Sequence, residues 1–206
     1  MTFGQYIVIP LFIAFQAFMM MLVAPYIPGN PDSVGGPGLM AWVAFQAWAM
    51  YFLAGGTPKM GVKTWMGYLG GVVASVAIFE LAGALSGLNS DTTQWGQYLA
   101  VFVVVVFVIS AEKVPGIDFV PSYFLGAGVF FALMTYLKKP DGVAQFSWYG
   151  MVALPEMVAC AVGLVYGWWT VTFKTWYVAK VTVATPAPAA AGAAPVLPAG
   201  GAGGGV

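Results

Sequence analysis

The chain has 206 residues, of which 61% are apolar and only 7% are charged, with seven basic and seven acidic side chains. Soluble domains carry roughly a quarter charged residues, so this composition excludes a soluble globular protein and a disordered one. No alternating pattern typical of membrane barrel strands is found. The sequence therefore predicts an all-α integral membrane protein.

Missing residue types narrow the chemistry further. There is no histidine, which excludes imidazole-ligated haem and histidine proton shuttles. The single cysteine, Cys160, cannot form an intrachain disulfide or a cysteine-ligated zinc or iron–sulfur site. The net charge is zero and no basic block exists, so nucleic-acid binding is not expected. No nucleophile–base pair or phosphate-binding loop is found, and we expect no enzyme activity, cofactor or metal.

Six apolar segments have about the length of 20 residues that a helix needs to span a bilayer, although the second and fourth are short. They cover residues 5–24, 38–54, 64–85, 95–111, 119–137 and 149–172. Turns rich in Pro and Gly separate them, the longest at 25–38. The N-terminus lacks the basic region of a signal peptide, so we expect the first segment to be retained.

The segments organise the chain into a transmembrane helical bundle at 1–182 and an Ala/Pro/Gly-rich tail at 183–206, which has no apolar periodicity to bury. With six spans, one side of the membrane holds five lysines: Lys59, Lys63, Lys113, Lys174 and Lys180. The other side holds only Lys138 and Lys139. The positive-inside rule then places both termini in the cytoplasm.

Two internal repeats are visible. The pattern Ala-Phe-Gln-Ala surrounds Gln16 in the first segment and Gln46 in the second. A weaker similarity relates the second and third segments to the fourth and fifth, with glycine-rich stretches at 69–72 and 125–129. It suggests a duplicated two-helix hairpin, a kind of duplication common in transporter folds. Chance similarity within an apolar chain is the alternative.

Four polar side chains are predicted to share one depth in the outer half of the membrane. At 1.5 Å per residue, Gln16, Gln46, Glu80 and Glu156 fall within about 4 Å of one level. A charge at the bilayer centre costs about 3 kcal/mol, so it is kept only with a partner, a water-filled cavity or a function. These four are candidates for lining a pore or a substrate site. Interhelical hydrogen bonding is the alternative, and for Glu80 so is snorkelling to the interface.

Two prolines precede polar residues, in Pro121-Ser122 and Pro155-Glu156. Discontinuous helices that line a transport site have this pattern, which predicts a helix break at Pro155 and adds Ser122 to the pore-lining candidates. Ordinary proline starts and kinks are the alternative. Small residues at helical spacing, among them Gly67, Gly71 and Gly126, predict close helix packing.

Three stretches carry a family resemblance. They are residues 48–73, with Gly55-Gly56 and Pro58-Lys59; residues 119–126; and residues 152–155, followed by Gly163 and Gly167. Over about residues 5–175 the chain resembles the YcdZ-like family of small bacterial inner-membrane proteins, a domain of unknown function. The resemblance implies a multi-pass protein of the bacterial inner (cytoplasmic) membrane, and it implies no particular reaction.

Two functions fit these features. The polar layer, the proline motifs and the duplication favour a channel or transporter for a small neutral or proton-coupled solute. The sparse charge, the glycine seams and the tail favour a structural or accessory subunit of a larger membrane assembly. In both cases we expect the protein to contact the lipid bilayer and to form a homo-oligomer or part of a membrane complex.

Overall fold

A computed structural model of the protein describes residues 1–26 and 39–183, and no β-strand occurs among them. The helices are α1 (Phe3–Tyr6), α2 (Val8–Val23), α3 (Ala41–Leu53), α4 (Pro58–Ala84), α5 (Trp95–Ser110), α6 (Val120–Tyr136) and α7 (Gln145–Val183). Single 3-10 turns extend α2, α4 and α5. From residue 184 onward the predicted tail lies outside the described residues, as do residues 27–38.

The all-α prediction is confirmed, and the six longer helices follow the six predicted segments. Four helical segments are long and apolar enough to cross a membrane: Phe3–Tyr26, Pro58–Ala84, Trp95–Lys113 and Gln145–Thr182. The other two, α3 with 13 residues and α6 with 17, are apolar but shorter. The composition of these helices is that of a membrane protein.

Helix α4 begins at Pro58, before the predicted boundary at 64. The Thr57 hydroxyl accepts a hydrogen bond from the Met60 amide at 3.3 Å, and Pro58 occupies the first turn. A capping threonine followed by proline is a strong helix start, because the capping oxygen satisfies an otherwise unpaired amide and proline has none to lose.

Helix α7 runs without interruption through Pro155, so the predicted break there is wrong. Val152, Met157, Ala159 and Cys160 on either side of the proline are buried in the main apolar cluster, and this packing holds the helix together. Proline still has no amide hydrogen. The carbonyl group of Met151, one turn earlier, therefore receives no helical hydrogen bond from position 155.

Two parallel helix pairs form the core. Gly71 on α4 packs on the main chain of Tyr123 on α6, and Gly163 on α7 packs on the main chain of Ala44 on α3. A Cβ atom at either glycine would collide with backbone atoms, so only glycine permits this approach. The predicted packing role of the small residues is confirmed at Gly71.

The two pairs bury equivalent positions. On α4 these are Thr64, Gly67, Tyr68, Gly71, Val72, Ser75 and Ile78, and at the same spacing on α7 they are Glu156, Ala159, Cys160, Gly163, Leu164, Gly167 and Thr170. On α3 they are Val43, Ala44, Ala47, Met50 and Tyr51, and at the same spacing on α6 they are Ser122, Tyr123, Gly126, Val129 and Phe130. The pair α3–α4 is thus arranged like the pair α6–α7.

Equivalent helices run in opposite directions. Gly56, just before α4, lies against Val171, whereas Glu80 near the end of α4 is bonded to Tyr149 near the start of α7. Helices α4 and α7 are therefore antiparallel. This relation pairs α3 with α6 rather than with α5, which differs from the predicted hairpin duplication. Only Gly96 and Ala100 are buried on α5.

Connections at one end of the bundle are tied together. The Lys63 ammonium group contacts the Asp118 carboxylate at 2.6 Å, which joins the start of α4 to the α5–α6 connection. The Tyr177 hydroxyl donates to the Gln5 carbonyl at 2.9 Å, which joins the N-terminal segment to the last part of α7. The segments that carry the five lysines of the predicted cytoplasmic side therefore share this end.

Candidate functional site

Four side chains with polar atoms are buried where α4 and α7 cross. They are Thr64 and Tyr68 on α4 and Glu156 and Cys160 on α7, and each is 0% exposed. On each helix the two residues are four positions apart and so share one face. Thr64 is the equivalent of Glu156, and Tyr68 of Cys160, in the matching burial pattern. We call these four residues the central quartet.

Within the central quartet, the Glu156 carboxyl group has no hydrogen-bond partner for either oxygen among the described residues, and the Tyr68 hydroxyl has none either. Tyr68 and Cys160 lie close enough to Glu156 to interact with it electrostatically. The Thr64 hydroxyl donates to the Met60 carbonyl at 2.8 Å and keeps its lone pairs. The centre of the bundle therefore holds unused hydrogen-bonding capacity.

No lysine compensates Glu156. The lysine nearest to the quartet in sequence, Lys63, is bound to Asp118, and this hydrogen bond lowers the pKa of the Asp118 carboxyl group below its ordinary value. An unpaired buried charge costs several kcal/mol, and buried polar groups in proteins are normally paired. Without a ligand, the Glu156 carboxyl is therefore expected to be neutral. Such a residue inside an apolar helix is by default a functional-site candidate.

An apolar groove of about 590 Å³ lies between α4 and α7 on the side of the α4 start. Its lining includes Tyr51, Gly61, Trp65, Leu164 and Trp168. The Trp65 indole nitrogen donates to the main-chain carbonyl of Met157 at 3.2 Å. This indole therefore borders the groove and is bound to the residue that follows Glu156.

Gln16 belongs to a separate buried cluster. The Thr170 hydroxyl accepts a hydrogen bond from the Trp48 indole at 3.1 Å and donates to the Gln16 side-chain oxygen at 2.7 Å. These bonds connect α2, α3 and α7, which is the interhelical hydrogen bonding that the sequence offered as the alternative. The Gln16 side-chain nitrogen has no partner among the described residues.

The predicted polar layer is not assembled. Gln46 is exposed, because the buried face of α3 is formed by other residues, including Ala44 and Ala47. Glu80 is exposed and accepts a hydrogen bond from the Tyr149 hydroxyl at 3.0 Å. Thr170, the partner of Gln16, lies about 21 Å along α7 from Glu156 at 1.5 Å per residue. The predicted depths of the four residues depend on the predicted ends of the spans. Helix α7 covers Gln145–Val183, well beyond its predicted span of 149–172, so these depths do not apply.

Ser122 is buried in the seam between α4 and α6. Its hydroxyl donates to the Phe119 carbonyl at 2.7 Å, and its side chain lies where a Cβ atom at Gly67 would be. Pro121 stands in the first turn of α6. The structure thus gives this motif the ordinary role of a helix start and brings Ser122 into helix packing.

The sequence-based candidates did not include Thr64, Tyr68 or Thr170, and Cys160 was considered only as a disulfide partner or metal ligand. A signal for the quartet was present, because Tyr68 precedes Gly71 by the same number of residues as Cys160 precedes Gly163. This spacing becomes informative only when α4 is recognised as the equivalent of α7. The sequence similarity of 69–72 to 125–129 pointed to α6 instead.

A family model described as "Protein of unknown function (DUF1097)" matches residues 7–175. The matched region extends from the start of α2 into the last third of α7 and contains the central quartet. No curated protein and no solved structure matches the chain. The match supports the expected uncharacterised family, while the YcdZ-like name stays a prediction.

Proposed function

The chain belongs to this family of proteins of unknown function, and we propose that it is a small polytopic channel or transporter for a small neutral or proton-coupled solute. The observation that carries the proposal is Glu156, which is fully buried and unpaired at the crossing of α4 and α7. Transporters with inverted repeats bind their substrates at the interface between the two repeats. Here the equivalent helices α4 and α7 meet at that crossing.

We infer six membrane spans with both termini in the cytoplasm of a bacterial cell. Helices α3 and α6 would be about 20 and 26 Å long, against a hydrocarbon core of about 30 Å, so their connecting segments complete the crossing. The clustering of the lysine-bearing segments at one end supports this orientation.

The glycine contacts suggest how such a protein would move. Gly71 locks α4 to α6 and Gly163 locks α3 to α7, so each parallel pair can act as a rigid body. The two pairs meet at the α4–α7 crossing, where the central quartet lies. Rocking of one pair against the other would then expose Glu156 to each side in turn, which is the usual form of alternating access.

Flux into liposomes tests the proposal. The purified protein is reconstituted, and the entry of urea and of methylammonium is measured with and without a pH gradient. We expect protein-dependent flux of at least one solute, its loss or altered pH dependence in Glu156→Gln, and its retention in Glu80→Gln, the exposed matched control. Flux equal to that of protein-free liposomes for both solutes would overturn the proposal.

The alternative, an accessory subunit of a larger assembly, gains support from the groove between α4 and α7. Its exposed lining is almost entirely apolar, which fits a partner helix as well as a lipid chain. Purification from native membranes in mild detergent distinguishes the two. A constant stoichiometric partner together with the absence of flux would favour the accessory role.

A further inference from the structure

We propose that the central quartet binds a monovalent cation, either an ammonium group or an alkali ion, in exchange for a proton on Glu156. This inference rests on the proposed transport function and names the substrate class of the same site. It starts from the unpaired, fully buried carboxyl group of Glu156 and from the unpartnered Tyr68 hydroxyl beside it.

Charge selects a cation. All seven lysines of the chain lie within the described residues, and the one nearest to the quartet in sequence, Lys63, is already bound to Asp118 at 2.6 Å. An anion would therefore meet no basic partner beside an acidic group. A neutral solute could hydrogen-bond only to the protonated carboxyl group of Glu156, whereas a cation can also compensate the ionised carboxylate. A bound cation of charge +1 neutralises one carboxylate.

The available ligand atoms are mainly oxygens. Beside the two carboxylate oxygens of Glu156 lies the unpartnered hydroxyl of Tyr68. Thr64 is on the same face of α4, four positions before Tyr68, and the Met151 carbonyl lacks a helical donor because of Pro155. Oxygen ligands suit hard cations and ammonium groups. Among the described residues no group of three or more His, Cys, Asp or Glu side chains occurs, which speaks against a multivalent metal.

The exchange keeps the site neutral. With the cation absent, the proton sits on the Glu156 carboxyl group; when the cation binds to the carboxylate, that proton leaves to solvent. Neither state then contains an unpaired buried charge. The other titratable groups buried on the surrounding helices are Tyr51 on α3, Tyr68 on α4, Tyr123 on α6 and Tyr149 and Cys160 on α7, and none of them carries a positive charge.

The groove between α4 and α7 is rich in aromatic residues. Tyr51, Trp65 and Trp168 contribute three aromatic rings to its lining, and aromatic faces attract ammonium groups and alkali ions. Trp65 also donates the hydrogen bond to Met157 at 3.2 Å.

Binding and proton release are measured on the full-length protein in detergent. Methylammonium chloride and sodium chloride are titrated separately, with choline chloride and urea as comparison solutes, and tryptophan fluorescence reports binding. In weakly buffered solution a pH dye counts released protons. We expect saturable binding of methylammonium or sodium with about one proton released per cation, so that affinity falls about tenfold per pH unit of acidification. Binding of methylammonium would identify an ammonium group as the ligand, and binding of sodium would identify an alkali ion.

Variants separate the site from the fold. Glu156→Gln should abolish proton release and weaken binding more than tenfold, Tyr68→Phe should weaken binding, and Glu80→Gln should change neither. If Glu156→Gln does not fold, Glu156→Asp replaces it in the binding measurement. Proton release by the wild-type protein on cation binding then tests whether the two are coupled. Binding without proton release, or equal binding by Glu156→Gln, would overturn the inference.

The flux result keeps the two proposals apart. Urea flux that depends on Glu156 without any cation binding would overturn the cation site and leave the transport function standing. Cation binding with proton release but no flux of any solute would leave the cation site standing and overturn transport.

Discussion

Gly163 on α7 packs directly against the main-chain carbonyl group of Ala44 on α3. The same relationship recurs between Gly71 on α4 and Tyr123 on α6, at the equivalent positions of the other parallel pair. In a membrane, where apolar side chains gain nothing by leaving lipid, such close backbone contacts hold helices together. These two contacts therefore define the two units that the proposed function would move.

Replacing either glycine with alanine should separate its pair of helices. The added methyl group collides with backbone, and overpacking of this kind costs about 1–3 kcal/mol. Gly150→Ala and Gly83→Ala are matched controls on α7 and α4, because a Cβ atom at either position meets nothing within 4 Å. Alanine there should be neutral or stabilising by up to about 1 kcal/mol. Thermal unfolding in detergent measures the stability of all four variants. Equal losses of stability at Gly71, Gly163 and the two control positions would contradict the close glycine contacts.

The repeated Ala-Phe-Gln-Ala pattern provides a matched pair of glutamines. Gln16 is buried and bonded to Thr170 at 2.7 Å, whereas Gln46 is exposed. Gln16→Leu should remove the link from Thr170 to α2, leaving the Thr170 hydroxyl only the Tyr166 carbonyl of its own helix as an acceptor, at 2.8 Å. We expect this to destabilise the bundle by about 1–2 kcal/mol, while Gln46→Leu should have little effect. A double-mutant cycle of Gln16→Leu with Thr170→Val should show coupling. Additive effects would argue against the bond.

The sequence predicted the helices well because composition and turn residues determine them locally. The apolar segments correspond to α2–α7, and the glycines at 67–71 indicated a packing seam. It predicted the site only in part. Glu156 stood out because an acid in an apolar helix is costly wherever that helix packs. The partners of Gln16 and the exposure of Gln46 depend on which faces meet, and helix periodicity in a uniformly apolar chain does not encode that choice.

The relative depths of Glu156 and Gln16 in the membrane could not be predicted from the sequence either. Glu156 and Gln16 were placed at one level because each was counted from the end of an assumed span. The structure instead gives α7 39 residues and continues it through Pro155, so the part of α7 that meets α2 is far from Glu156. Contacts in the structure, such as those between Gln16 and Thr170 and between Trp65 and Met157, fix the register of α7 against its neighbours.

The Lys63–Asp118 pair predicts a pH dependence of stability. The hydrogen bond from Lys63 lowers the pKa of Asp118 below 3.8. A carboxyl group whose pKa is lowered on folding stabilises the folded state above its unfolded pKa, and this contribution disappears as pH falls through the lowered value. Asp118→Asn should therefore lower the melting temperature at pH 7 and differ less from wild type well below pH of about 4. The effect should be small, because Asp118 is 38% exposed.

Asp141→Asn is the control for that experiment, because Asp141 is an exposed aspartate of the α6–α7 connection. It should leave the stability profile unchanged between the two pH values. A difference between Asp118→Asn and wild type that grows on acidification would contradict the assignment.

Cysteine labelling tests the proposed topology. The native Cys160 is buried, so wild-type protein should resist a membrane-impermeant maleimide. With six spans and cytoplasmic termini, Ser90→Cys and Asp141→Cys should be labelled in intact cells, whereas Glu112→Cys should be labelled only after permeabilisation. Labelling of position 112 in intact cells together with protection of position 90 would reverse the orientation. Labelling of 90 and 112 from one side would contradict the fourth span.

Glu156→Leu distinguishes a functional residue from one that holds helices together. Leucine has a similar volume, and it replaces two buried oxygens that have no partner among the described residues. Removing an unpaired polar group from a packed interior is neutral or stabilising, whereas removing a bonded one costs about 1–3 kcal/mol. Glu156→Leu should therefore unfold in detergent at the wild-type temperature or above it, while losing any flux that the wild type shows. Thr170→Val, which removes a bonded hydroxyl from the same helix, should unfold at a lower temperature. If Glu156→Leu loses as much stability as Thr170→Val, Glu156 contributes to the fold, and its position at the α4–α7 crossing no longer supports a transport site.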